Sequence, residues 1–383
     1  MTSLPLLLGV IAACALVGAV PSLVNALKPR LQQLLGLDSP RVDRLERMQF
    51  FLAWVAGMPA AGYLADVWSR YDVLIAGCLA IASVLSFFAV TKSPRWIGMM
   101  SFLLGLSTSF VVVAAICLAS AAIPGACPAA SLNAGFIAIG LGSFTPQPVL
   151  TRLERWFGLR KALLTLGMGA LIPAGLVFAA IVSRPDSQPA AAANAVTVSD
   201  FFHDPRFWLI AAMLLMYYPI ESALDIWSEP FLHEIGYPEQ RGRRMLVGFW
   251  LAFLLARLGM WYLLRPGNEV LLLWLCAMTS AIILGNLVGA YGASSGGIGF
   301  WLVGACYGPL LPGFLGLLFE HFPAQPGLAV GVVLAVAGLH DALAQPVMTR
   351  GTQARSVRIA MRIPLVMTLL MLVPLLVIGV VKW

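Results

Sequence analysis

"FTPQPVLTR" at residues 144–152 and "ALAQPVMTR" at 342–350 are one stretch met twice. Gln147, Pro148, Val149, Thr151 and Arg152 recur as Gln345, Pro346, Val347, Thr349 and Arg350, an offset of 198 residues. The same offset carries Pro21 onto Pro219, and an offset of 199 carries "FFLAW" (50–54) onto "FWLAF" (249–253). Any one match is weak. Three matches at nearly one offset indicate two copies of a single unit.

Composition says what each unit is made of. The chain has 383 residues, 60% of them hydrophobic and 11% charged, with a mean hydropathy of +0.89. Soluble domains carry about 25% charged residues, so most of this chain must lie in lipid. The formal charge of +7 sits in short loops between apolar runs, the placement that membrane topology asks for, and is not a nucleic-acid patch. Six cysteines lie in or beside apolar segments without metal-ligand spacing and read as small core residues. The N-terminal apolar run has no basic residues before it and is longer than the core of a signal peptide, so it reads as the first membrane helix.

A bilayer core takes roughly 20 apolar residues per helix. That length predicts helices near 4–26, 48–66, 72–91, 96–122, 128–150, 161–183, 207–231, 245–264, 270–290, 297–319, 327–349 and 359–381. The runs are long and continuous, unlike the ten-residue alternations of a barrel. The polar stretch 184–206 divides the spans six and six. The expected fold is therefore an all-α membrane protein: twelve transmembrane helices in two six-helix bundles, 1–183 and 207–383, related by pseudo-two-fold symmetry and joined by a linker at 184–206. Duplicated halves with a site near the midplane are a transporter architecture.

The stretch "GYLADVWSRYDVL" (62–74) resembles the loop signature between helices 2 and 3 of the major facilitator superfamily. Gly62, Leu64, Ala65, Asp66 and Arg70 fit that pattern, while Ser69 stands where a second glycine is usual. The resemblance implies a gating role for Gly62, Asp66 and Arg70, with the aspartate held by an arginine and by a helix end. "SLNAGFIAIGLGSFTPQPVL" (131–150) resembles helix 5 of sugar-porter-like members. "YYPIESALDIWSEPFLHEIG" (217–236) and "GFWLAFLLARLG" (248–259) are similar to helices 7 and 8 of the fucose:proton symporter-like branch. That branch places its coupling carboxylates in helices 1 and 4, where this chain has no acid. The resemblance thus implies a sugar- or polyol-like solute without implying the same coupling scheme.

An ionised side chain at the bilayer centre costs at least ~2.5–3.5 kcal/mol and is kept for a partner or a function. Within 207–232 the charges are Glu221, Asp225 and Glu229, spaced i, i+4, i+8 and so on one helix face. At 1.5 Å per residue Glu221 lies roughly 21 Å into its span, Asp225 near the far edge and Glu229 at the interface. Arg257, His340 and Asp341 fall at about the same depth as Glu221. Glu221 or Asp341 is the candidate to bind a proton, a cation or substrate hydroxyls, with Arg257 as counter-charge and His340 as relay. A static buried ion pair is the competing reading. Asn25, Asn133, Gln147 and Gln345 stand beside glycine or proline, where helices break and expose backbone. Tyr218 and Trp227 can stack on a sugar ring or simply pack against apolar neighbours.

No hydrolase, nucleotide or metal motif is present, so the expectation is a non-enzyme without cofactor or metal. The expected partners are a small-molecule substrate, protons and the lipid bilayer, with no nucleic acid, and the chain is expected to act as a monomer. Loops after odd-numbered helices hold 18 of the 24 Lys and Arg, which by the positive-inside rule favours termini outside. The family resemblance implies the reverse, with both termini in the cytoplasm of a bacterial inner membrane, and that is the orientation adopted. The expected activity is secondary transport by alternating access, with symport of a sugar-like solute. Uniport or drug efflux, and a transporter-like receptor or scaffold that no longer cycles, remain open at this point.

Overall fold

The computed structural model describes residues 4–35, 39–91, 94–183, 202–289, 296–343 and 357–381, with the backbone alone at 28, 31–35, 39–49, 94–95, 296 and 340–343. Among them every regular element is a helix: α1 (Leu4–Leu35), α2 (Ser39–Val67), α3 (Arg70–Phe88), α4 (Pro94–Ser120), α5 (Pro128–Phe144), α6 (Pro146–Gly169), α7 (Leu171–Ser183), α8 (Pro205–Glu234), α9 (Glu239–Leu263), α10 (Glu269–Gly289), α11 (Gly296–Tyr307), α12 (Leu310–His321), α13 (Pro326–Leu343), α14 (Val357–Ala360) and α15 (Arg362–Val380). Among the described residues, ten helical stretches are long and apolar enough to cross a membrane. One of them, Pro128–Ser183, has 56 residues, enough at about 1.5 Å per residue for two crossings. With the shorter apolar helix Pro326–Leu339, the set accommodates the twelve crossings expected. The chain is an all-α, multi-pass integral membrane protein.

Several boundaries differ from the length-based expectation, for local reasons. The first helix runs on to Leu35, past the expected end at 26, and the second begins at Ser39. The polar residues there continue the helix because hydropathy and helicity are separate properties. The fifth helix stops at Phe144, short of the expected 150. Pro146 then starts α6 at its first turn, where the missing amide costs nothing. Inside α6, Gly158 adopts φ 77°, ψ 161°, a left-handed turn open to glycine at little cost. Asp204 opens α8 by accepting the Arg206 amide at 2.8 Å, a helix cap. The Arg206 guanidinium beside it holds this carboxyl below its ordinary range.

The described chain forms two compact units. Unit 1 comprises 1–125, 135–196 and 322–335, and unit 2 comprises 126–134, 197–321 and 336–383. Each takes one short segment from the other half of the sequence. Adding the repeat offset of 198 to 126–134 gives 324–332, inside 322–335. The exchanged pieces are therefore repeat mates, the leading turns of α5 and of α13. Within unit 1, α1 and α5 cross backbone to backbone. A Cβ on Gly18 would sit 1.9 Å from the Ile139 carbonyl oxygen, and one on Gly142 would sit 2.0 Å from that of Ala15. In lipid, where hydrophobicity gives no net drive between helices, such small residues allow the dispersion contacts that hold them together.

Candidate functional site

In unit 2 the decisive feature is a broken helix. Residues expected as one span, 297–319, form α11 and α12 with a break at Gly308–Pro309. The cause is visible in "YGPLLP" (307–312). Pro312 has no amide to give the Gly308 carbonyl four residues back, and Pro309 cannot give one to Ala305. A freed carbonyl inside a membrane protein needs another donor. Arg257 on α9 supplies it: its Nε donates to the Gly308 carbonyl oxygen at 2.8 Å. Position 308 must be glycine for this approach, since a Cβ there would stand 2.3 Å from the Phe253 carbonyl oxygen.

Arg257 is only 4% exposed. Its guanidinium carbon lies 4.3 Å from the centre of the Phe253 ring, a cation–π contact. Its electrostatic partners are Tyr217 and Glu221 on α8. The Tyr217 hydroxyl donates to the Tyr307 carbonyl at 3.4 Å, and the Tyr307 hydroxyl meets Thr368 Oγ1 of α15. Glu221, Tyr217, Trp250, Phe249, Phe253 and Tyr307 line a narrow cleft with Ile220 and Leu224. One acid, one base and an aromatic wall thus meet at the break.

Unit 1 has its own polar cleft, of about 340 Å³, lined by Ser22, Asn25, Ala26, Pro29 and Arg30 of α1, Ser143 and Phe144 of α5, and Gln147 and Pro148 of α6. Arg30 forms part of its wall. It pairs with Glu154, donates to the Ala26 carbonyl at 2.7 Å and reaches Thr151 Oγ1 at 3.2 Å. The volume is in the range of small-molecule clefts, about 300–1,000 Å³.

Also in unit 1, Asp66 ends α2 against the start of α13. Its Oδ1 accepts the Gly327 amide at 2.9 Å and its Oδ2 the Leu328 amide at 2.7 Å. These are early amides of α13, which lack partners within their own helix. A carboxylate at that end also meets the favourable end of the helix dipole. Two glycines make the approach possible: a Cβ on Gly62 would lie 2.2 Å from the Gly327 carbonyl oxygen. Arg70 lies within electrostatic range of Asp66.

The structure thus gathers Glu221 with Arg257, and Asn25 with Gln147. Tyr218 stands edge-on to Tyr217 with ring centres 6.3 Å apart. Other candidates lie apart from the two clefts. Asp225 is exposed, and it lines neither cleft. Trp227 is 2% exposed within the packing of α8. Asn133 is fully buried and donates to the Ala129 carbonyl at 2.8 Å. Gln345 and the side chains of His340 and Asp341 fall outside the described residues. Sequence reasoning missed Arg30 and Glu154, which it left in loops, and it did not single out Tyr307. The proline pair that frees the Gly308 carbonyl was the available signal for the break.

The Major Facilitator Superfamily model matches residues 15–345 of the chain. Solved structures share the fold. A Major Facilitator Superfamily transporter, FucP, in the outward conformation has a TM-score of 0.73 at 15% identity, covering 96% of this chain and 97% of that one. The E. coli fucose:proton symporter FucP (N162A) gives 0.72 at 15% identity, with 98% of each chain covered. The proton:xylose symporter XylE bound to 6-bromo-6-deoxy-D-glucose gives 0.72 at 12% identity, covering 96% and 94%. No curated protein matches.

Proposed function

Because the chain belongs to the Major Facilitator Superfamily, we propose that it is a secondary transporter carrying a small hydroxylated solute, a sugar or polyol, by alternating access, with proton symport at Glu221. The observation that carries this reading is the Glu221–Arg257 pair set among Tyr217, Trp250 and Tyr307 at a helix break. A carboxylate accepts charge-assisted hydrogen bonds from hydroxyls, and aromatic rings offer a flat apolar face to a sugar ring. Arg257 is engaged with the Gly308 carbonyl and the Phe253 ring, so Glu221 is the member of the pair able to change partners. Solved structures of similar fold include a fucose:proton and a proton:xylose symporter, which supports the same solute class. The two bundles, 1–183 and 207–383, are the proposed moving bodies, and Asn25 and Gln147 are proposed polar positions within the cleft of the first. Asp66 and Arg70 are the proposed gate.

The test is uptake of labelled hexoses, pentoses and polyols into proteoliposomes, with and without an inward proton gradient. Accumulation driven by the gradient is expected. Glu221→Gln removes the ionisable group and one charge-assisted acceptor, worth about 1.5–3 kcal/mol, so gradient-driven uptake should fall by about tenfold or more. Normal uptake with intact pH dependence in that variant would remove Glu221 from the coupling scheme. Uptake that ignores the gradient indicates uniport, and no uptake of any solute indicates a scaffold.

The proposal places both termini in the cytoplasm of a bacterial inner membrane, against the distribution of Lys and Arg. A periplasmic phosphatase fused after Trp383 should be inactive, and a cytoplasmic reporter at the same position active. The opposite pair of results reverses the orientation.

A further inference from the structure

A second pair of acids lies in unit 2, away from the Glu221 cleft. Glu269 is the first residue of α10 and is 3% exposed. Its Oε2 accepts the Gly267 amide at 2.7 Å. Its Oε1 is buried and has no hydrogen-bond partner among the described residues. Glu320, one residue from the end of α12, lies within hydrogen-bonding reach of the Glu269 carboxyl. Cys127, just before α5, faces both acids.

Among the described residues no cation is paired with either acid. Arg265, in the turn before α10, is exposed, and its backbone amide goes to Asn268. His321, next to Glu320, turns its Nδ1 to the Leu317 carbonyl at 2.8 Å. The remaining neighbours are apolar: Ala129, Met260 and Leu264 pack with Cys127. Nearby, α5 and α12 are in backbone contact, since a Cβ on Gly316 would stand 2.4 Å from the Ala129 Cα. The Cys127 thiol, pushed up by burial, stays neutral and is at best a weak donor.

Ionised carboxylates only accept hydrogen bonds. Two of them in contact, one of them shut away from water with an unpartnered oxygen, cannot both stay charged, and one proton is held between them. A single proton on Glu320 would also give the orphaned Glu269 oxygen its donor. We propose that Glu269 and Glu320 form a proton-binding site that holds one shared proton at neutral pH. The site is separate from Glu221 and does not depend on which solute is carried. Loss of the proton leaves two negative charges against the Cys127–Met260–Leu264 cluster, where the start of α5 packs on α12.

The experiment is an infrared titration of the detergent-solubilised full chain, reading the protonated-carboxyl stretching absorption. The wild-type protein should retain this absorption at neutral pH and lose part of it as pH is raised. Glu320→Gln and Glu269→Gln should each remove one carboxyl's worth at neutral pH, because the amide supplies the donor that the shared proton supplied. Glu320 is surface-exposed, so its variant keeps the test available if the Glu269 variant does not fold. Cys127→Ala should leave the absorption unchanged. A neutral-pH absorption that both glutamine variants leave intact overturns the proposal, as does its absence from the wild-type protein.

Discussion

Arg257→Met is expected to be among the most destabilising single changes in unit 2. Methionine matches the apolar stem but removes the guanidinium. The Gly308 carbonyl, already without a helical partner because of Pro312, loses its donor. An unsatisfied buried acceptor costs about 1–3 kcal/mol. Glu221 simultaneously loses the counter-charge that faces it. Glu221 is only half-buried, so water offsets much of that second loss. The unsatisfied carbonyl dominates, so a total of about 1–3 kcal/mol is the expected result. Unfolding of the detergent-solubilised protein, followed by tryptophan fluorescence, reads it directly. Arg257→Lys restores the charge without the planar donor set and should recover only part of the loss. If the pair acts as a unit, Arg257→Met combined with Glu221→Gln should be less unstable than the sum of the two single changes. Strict additivity would mean that Arg257 serves the Gly308 carbonyl alone.

That pair was legible in the sequence because charges are rare inside apolar runs. Glu221 and Arg257 announce themselves by their surroundings, and a depth of 1.5 Å per residue places them in one layer. The bilayer requirement made the fold legible as well, since long apolar runs can satisfy their backbones only as helices. What stayed hidden depends on pairing at long range or on breaks within a run. Arg30 and Glu154 are 124 residues apart, and each sits in a polar stretch where an arginine or a glutamate is ordinary. The break at 308–309 was missed because hydropathy sums over a window and does not ask which amide serves which carbonyl. Asn133 stands out as a polar residue near a glycine and Trp227 as an aromatic able to stack on a ring, and neither criterion distinguishes packing from a cleft. Glu269 and Glu320 lie at helix ends, where a charge normally meets water, so nothing in their local sequence distinguishes them.

Asp66 tests whether a motif residue acts through the geometry now seen. It lies 261 residues from the amide it binds at Gly327, so its partner could be supplied only by resemblance. Asp66→Ala leaves the Gly327 and Leu328 amides without their acceptor. A hydrogen bond to a charged group is worth about 1.5–3 kcal/mol, so opening at the start of α13 should become about 10- to 100-fold more frequent. Hydrogen–deuterium exchange of peptides covering 326–332 reads this, with α1 to α4 peptides as the internal control. Asp66→Asn keeps one carbonyl acceptor but loses the charge that meets the α13 dipole, so its exchange should fall between the two. Faster exchange confined to the α13 peptides, together with an altered uptake rate, would fit a local clasp whose release belongs to the transport cycle. Equal acceleration across unit 1 would make Asp66 a general packing residue. Unchanged exchange at 327 and 328 would remove the contact, and the gating role with it. Gly62→Leu should reproduce the alanine result from the opposite direction. Its side chain would stand where the Gly327 carbonyl now lies, forcing α13 away from α2 with the Asp66 carboxylate intact.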